Sequence, residues 1–286
     1  MPNTTQIELG SVVSLWRYPV KSMMGEELNA DDVTERGLLG DRAYALIDQS
    51  DGKLASAKNP RKWGKLFDFR ATFVKAPHIG EQIPPVRITV PNGNIISSDQ
   101  RDLNQILSSV LAREVTLKAT APEALSVEYV KDPLAPTETV ANFPAGLGSP
   151  PGTFFDYAAV HLLATATLDW LREFYPQGRF EVRRFRPNIV VEPASSEKGF
   201  MENAWVGHTL AIGDQVRLRV TDPCPRCVMT TLPQGDLPKD PGILRAVAQH
   251  NRVHVPFLRE GMPSAGVYAA VLRGGTIRRG DRVRIE

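Results

Sequence analysis

Cysteine is almost missing from this chain: two occur among 286 residues. That scarcity argues against a disulfide-built fold and against any four-cysteine zinc or iron–sulfur site. Aromatic residues make up only 7%, with no run in which they interleave with basic ones, and 34 Lys and Arg stand against 32 Asp and Glu for a formal charge of +2. So even a balance offers no groove for a polyanion and speaks against nucleic-acid binding. Long apolar runs are missing too, since no stretch of about 18 apolar residues occurs that could span a bilayer. Residues 1–8 lack the basic segment and apolar core of an export signal. These absences predict a cytoplasmic protein with no membrane partner and with reduced thiols. The length allows one large domain or two.

What is present starts with the cysteines, which share one phrase, Asp222-Pro223-Cys224-Pro225-Arg226-Cys227. A guanidinium beside a thiol favours the thiolate, the form that attacks electrophiles and binds soft metals. Structural zinc needs four ligands; His250 and His254 have a ligand spacing, but no second cysteine pair exists. A thioredoxin-like pair sits at a helix start, whereas Pro223, Pro225 and Pro233 favour a loop here. A simple disulfide suits an oxidising compartment. The reading left is a thiolate on a proline-fixed loop at the end of a strand in which Val216, Leu218 and Val220 alternate with Gln215, Arg217 and Arg219. No histidine stands at a diagnostic spacing from a carboxylate, so none is assigned as a general base. Trp16, Trp63, Trp170 and Trp205 read as core anchors.

Strand signals dominate the rest. Runs at 12–16, 43–47, 69–73 and 86–90 are β-branched or aromatic and close on Gly, Pro or Asn-Gly, and the phrases at 48–53 and 91–94 read as hairpin turns. Gly213-Asp214 and Gly280-Asp281 each precede alternating apolar residues, the pattern of a tight corner entering a barrel strand. Helices are expected at 102–111, 160–175 and 241–250, with His161 opening the second. The Pro- and Gly-rich stretch 143–152 reads as a boundary, either a linker or a lid.

Three basic phrases stand at strand mouths: Tyr18-Pro19-Val20-Lys21-Ser22, Gly40-Asp41-Arg42 and Phe185-Arg186-Pro187-Asn188. Pro187 is expected to hold Arg186 extended. Singly, each is an ordinary surface charge; together they suit a phosphate or another anion.

These phrases, the Cys224–Cys227 loop and the closing Gly275-Thr276-Ile277-x-x-Gly280-Asp281 resemble the MOSC-domain proteins, the family of molybdenum cofactor sulfurase C-terminal domains, and within it the amidoxime-reducing component type. The resemblance spans nearly the whole chain. It implies a mainly β fold with a few helices (α+β), a β-barrel-like N-terminal module (9–120), a connecting segment (121–152) and a MOSC β-barrel domain (153–286). It implies a molybdenum cofactor, a molybdopterin carrying Mo, with Cys227 as the thiolate ligand and catalytic centre; no pyridoxal phosphate is implied. Lys21, Ser22, Arg42, Arg186, Asn188 and Asp156 would hold the pterin. Tyr157-Ala158 departs from the two small hydroxyl residues of the eukaryotic reductases, which reshapes the pocket. The implied reaction is reduction of N-hydroxylated or N-oxide compounds. With no four-cysteine cluster in the chain, electrons would come from a separate ferredoxin, flavoprotein or cytochrome b5 type donor. Two alternatives stay open: a sulfur-handling protein in which Cys227 carries a persulfide or cleaves a C–S bond without molybdenum, and a cofactor carrier without turnover.

Overall fold

A computed structural model describes residues 7–122, 125–135, 137–146 and 149–286. The start of the chain and Leu147-Gly148 of the expected boundary stretch lie outside the described residues. The protein is mostly β, with 39% strand and 19% helix, as the sequence predicts. Seven strands close into a barrel: Val160–Ala164, Ile189–Pro193, Ile7–Arg17, Arg282–Ile285, Thr209–Ile212, Val216–Pro225 and Glu260–Arg273, the last pairing back to the first. Alternation fills its interior, because side chains on a strand point to opposite faces. Val216, Leu218 and Val220 are fully buried on one strand, and Leu210, Ile212, Val267, Ala269 and Val283 join the same core. Gly213 and Gly280 take the positive φ their corners require, at 56° and 91°.

The first strand lies close against its barrel neighbour at Gly10, φ 149°, where a β-carbon would lie 1.9 Å from the Glu192 carbonyl oxygen. Ile7–Arg17 pairs with both Ile189–Pro193 and Arg282–Ile285. In return Gly275–Arg278 pairs with Ala30–Thr34. These three strand pairings cross the chain-order division at 120 and 153. A second core, around Leu46, Trp63, Phe69, Ile88 and Leu107, belongs to the N-terminal residues. The helix Leu103–Leu111 buries Leu103, Leu107 and Leu111, one face at four-residue spacing.

Four local expectations need correction. Residues 160–164 form a strand, and the helix begins at Thr165 and ends at Phe174, ahead of Pro176. A strand buried on both faces between parallel Ile189–Pro193 and antiparallel Glu260–Arg273 reads as an unbroken apolar run, which helical periodicity imitates. The Val216 strand continues through Cys224 to Pro225, accommodating its prolines by register shifts against Glu260–Arg273. Phe143 and Pro144 end a hairpin strand, Val140–Pro144, paired with Ser126–Val130. Trp63 and Trp205 are core residues, while Trp16 and Trp170 are half-buried.

Candidate functional site

Beside the barrel a cavity of about 470 Å³ opens, lined by residues from both the N-terminal and the C-terminal parts of the chain. Lys21, Arg42, Arg186, Asn188, Asp156 and Cys227 all line it, whereas Ser22 does not: its hydroxyl sits below, accepting the Ala57 N–H at 3.2 Å. Six cations line the cavity, Lys21, Arg42, Lys58, Lys131, Arg186 and Arg226, against the carboxylates Asp156 and Glu260.

At Arg42, Arg186 and Ser22, next to Lys21, the backbone is strained. Among the described residues, only Ser22, Arg42, Ala112, Arg186 and Arg259 have positive φ without being glycine. Three of the five come from the basic phrases. Arg186 is left-handed, at φ 55° and ψ 46°, not extended. Pro187 disfavours the right-handed helical region, and tertiary contacts select the left-handed one: Arg186 Nη1 donates to the Met23 carbonyl at 2.8 Å, and the guanidinium lies 4.1 Å from the Tyr18 ring centre. Arg42 covers the same ring at 4.5 Å, pairs with Asp41 and donates to the Arg186 carbonyl at 3.4 Å. Burial, then the neighbouring Arg42, pulls Arg186 down to about 10, and burial pushes Tyr18 up to about 12. Asn188 donates to Asp41 at 2.9 Å and accepts from the His161 N–H, tying the N-terminal phrase to the barrel.

Asp156 is bracketed by two ammonium groups, Lys21 at 2.7 Å and Lys58 at 3.2 Å. Burial would raise its pKa; the two cations overcome this and hold the carboxyl well below the usual range. Lys21 also donates to the Phe154 carbonyl at 2.7 Å. Lys58 is a residue the sequence reading missed. It follows the buried Ala55-Ser56-Ala57 run and precedes Asn59-Pro60, a strand-to-turn signal of the kind that marked the other basic phrases.

The cysteines divide in role. Arg226 Nη1 reaches Cys224 Sγ at 2.8 Å, so the guanidinium serves the first thiol directly. Burial nevertheless pushes the Cys224 thiol up, against the pull of Arg226. Cys227 is half-buried and lines the cavity. Its turn is held from beneath by Arg184, fully buried, whose guanidinium donates to the carbonyls of Arg179, Thr230, Leu232 and Pro238 at 2.9–3.2 Å. His161 lies on a strand and faces the cavity; burial and then Arg226 hold its pKa well below the ordinary imidazole value, so it is neutral. Among the described residues, no group of three or more His, Cys, Asp or Glu side chains could hold a metal ion. His250 instead stacks on Phe174.

Comparison with known proteins agrees with this architecture. Residues 9–127 match the MOSC N-terminal β-barrel domain and residues 150–284 match the MOSC domain. The chain is a MOSC-domain protein. It is 25% identical over 290 residues to mitochondrial amidoxime reducing component 2 of Rattus norvegicus, covering 96% of this chain and 83% of that protein. Component 2 of Homo sapiens is 25% identical over 301 residues with the same coverage, and human component 1 is 24% identical over 239 residues, 79% of this chain and 67% of that protein. Among solved structures, the YuaD protein from Bacillus subtilis aligns with a TM-score of 0.44 at 11% identity, over 96% of this chain and 94% of that one. Among the described residues of this MOSC-domain protein, no helix is long and apolar enough to cross a membrane.

The donor set fits the cofactor associated with such domains. A single accessible thiol suits a metal that brings its other ligands with it, and a cationic surplus suits a phosphate-bearing pterin dithiolene. Arg226 Nε is buried without a hydrogen-bond partner among the described residues.

Proposed function

We propose that this protein is a molybdenum-cofactor oxidoreductase that removes oxygen from N-hydroxylated or N-oxide compounds with electrons from a separate donor protein. The observation that carries the reading is the convergence of Cys227 with Lys21, Lys58, Arg42, Arg186 and Arg226 on one cavity. The names of the curated relatives, amidoxime reducing components, support the substrate class.

In this reading Cys227 Sγ would ligate the metal, Arg42 and Arg186 would hold the phosphate, and Lys21, Asn188 and Asp156 would hold the pterin. Ser22 supports the loop that carries Lys21. When bound, the cofactor would supply the two-electron chemistry, and the protein would hold and orient it. The net change is R–NHOH + 2e⁻ + 2H⁺ → R–NH2 + H2O. Tyr157 keeps a proton at the cavity wall, its hydroxyl donating to Asp222 Oδ2 at 3.1 Å.

The test is elemental analysis of protein from a cofactor-competent host, followed by reduction of hydroxylaminopurine or benzamidoxime with an artificial donor. About one molybdenum per chain with turnover is the expected result. Molybdenum without turnover would mean a carrier. No molybdenum, with a persulfide mass on Cys227, would replace this reading with the sulfur-handling one.

A further inference from the structure

The cavity's lining is not only cationic. Five of its half-exposed lining residues are aromatic or aliphatic and make one zone: Tyr129, Phe143, Tyr157, Phe257 and Leu258. We propose that the half-exposed zone is a binding site for one flat apolar ring, so that the substrates preferred are N-hydroxylated compounds carrying an aryl group. The substrate head group rests on the functional reading above; the ring site rests on the wall itself.

That wall is built before any ligand arrives. Phe257 stacks on Tyr157 with ring centres 3.8 Å apart and planes 16° off parallel. Tyr157 is anchored by its hydroxyl on buried Asp222 and leans on Tyr268 at 5.5 Å, which meets His161 edge-on at 5.9 Å. Phe257 sits in the turn joining Arg252–Val255 to Glu260–Arg273, where Leu258 and Arg259 N–H groups donate to the Val255 carbonyl at 3.0 and 2.9 Å. Four rings thus run along one side of the cavity from its half-exposed zone inward. A second hairpin lines the same zone. Val127 pairs with Phe143 and Tyr129 with Ala141, so these residues share one face, and Tyr129 meets Phe143 edge-on at 6.3 Å.

Rings held by stacking, a hydroxyl anchor and a closed turn lose little freedom when another ring joins them, so stacking energy survives as affinity. A small polar N-hydroxy compound gains nothing from this zone and leaves its apolar surface wet.

The experiment compares two compounds with one head group, benzhydroxamic and acetohydroxamic acid. Reduced viologen supplies two electrons; the N–O bond breaks, one proton goes to nitrogen and one to oxygen, giving the amide and water. Independently of turnover, benzamide and acetamide are titrated into the cofactor-free protein by calorimetry. Burying a phenyl ring predicts a preference of about tenfold or more for the aryl member in both kcat/KM and Kd. Phe257→Ala and Tyr129→Ala should each shrink it about threefold or more, and Phe257→Leu should retain part of it. Should Phe257→Ala fail to fold, the other two variants decide. Equal affinity for the two amides, or a preference untouched by the folded variants, overturns the ring site. Failure to reduce either hydroxamate with molybdenum bound overturns the functional reading instead, and the amide titration still judges the ring.

Discussion

Cys227 and Cys224 differ in burial although they stand three positions apart, and that difference governs what their loss should do. Cys224 Sγ accepts from Arg226 inside the protein, and a serine hydroxyl can accept the same bond. Cys227 faces the cavity, and oxygen is a poor substitute for sulfur toward a soft metal. Cys227→Ser should therefore lose molybdenum and turnover, with Cys224→Ser milder; elemental analysis of both variants checks this, and an inactive Cys224→Ser beside an active Cys227→Ser would reverse the assignment. Arg186 is less simple than its phrase suggests. Buried against Tyr18 and bonded to the Met23 carbonyl, it is part of the packing as well as of the cavity. Arg186→Ala should lower the stability of the cofactor-free protein by about 2–4 kcal/mol, from an orphaned carbonyl and a lost cation–ring contact. Chemical denaturation of wild type and variant measures it. An unchanged midpoint would leave Arg186 as an anion group only.

At the scale of elements, Glu202 ties three of them together. Fully buried after Phe200, it accepts from the Thr167 hydroxyl at 2.6 Å and from the Gly266 N–H at 2.9 Å, joining the 201–205 turn to the helix Thr165–Phe174 and the strand Glu260–Arg273. Burial pushes its carboxyl up to about 7, with the hydrogen bonds limiting the rise. A raised carboxyl binds its proton more tightly folded than unfolded, so its contribution to stability is complete below about pH 4.5 and is lost as pH rises through 7. Glu202→Gln stays neutral and can still accept from Gly266 while donating to Thr167. It should match wild type near pH 5 and exceed it at pH 8 by up to about 3 kcal/mol. Melting at the two pH values tests the sign; a variant less stable at pH 8 would mean that the charged carboxylate is favoured.

For the whole molecule, strand exchange makes the two halves depend on each other. A fragment of residues 152–286 lacks Ile7–Arg17, the strand between Ile189–Pro193 and Arg282–Ile285, and so presents an open barrel with two unpaired edges. It also lacks Lys21, Arg42 and Lys58. We expect no cooperative unfolding transition from it by circular dichroism, in contrast to the full chain. A sharp transition from the fragment would show that the barrel closes without its first strand.

Local chemistry was readable from the sequence alone. Period-two alternation, Gly-Asp corners and proline stops are dictated within a few residues by φ preferences and side-chain alternation, and they gave a mainly β chain, most strand positions and the basic phrases. The basic phrases pointed to Lys21, Ser22, Arg42 and Arg186 as an anion set, and the resemblance to MOSC-domain proteins added Cys227 to it. What depends on partners distant in sequence was not readable. Residues 160–164 are a strand only because two neighbours bury both faces, and Arg186 is left-handed only because Tyr18 and Met23 hold its guanidinium. Arg226 serves Cys224 because the strand continues through it, and Lys58 and Phe257 reach the cavity because the barrel closes. Sequence fixes what each residue prefers by itself; burial, charge pairing and strand partners exist only after the chain has closed on itself, and they decided the site.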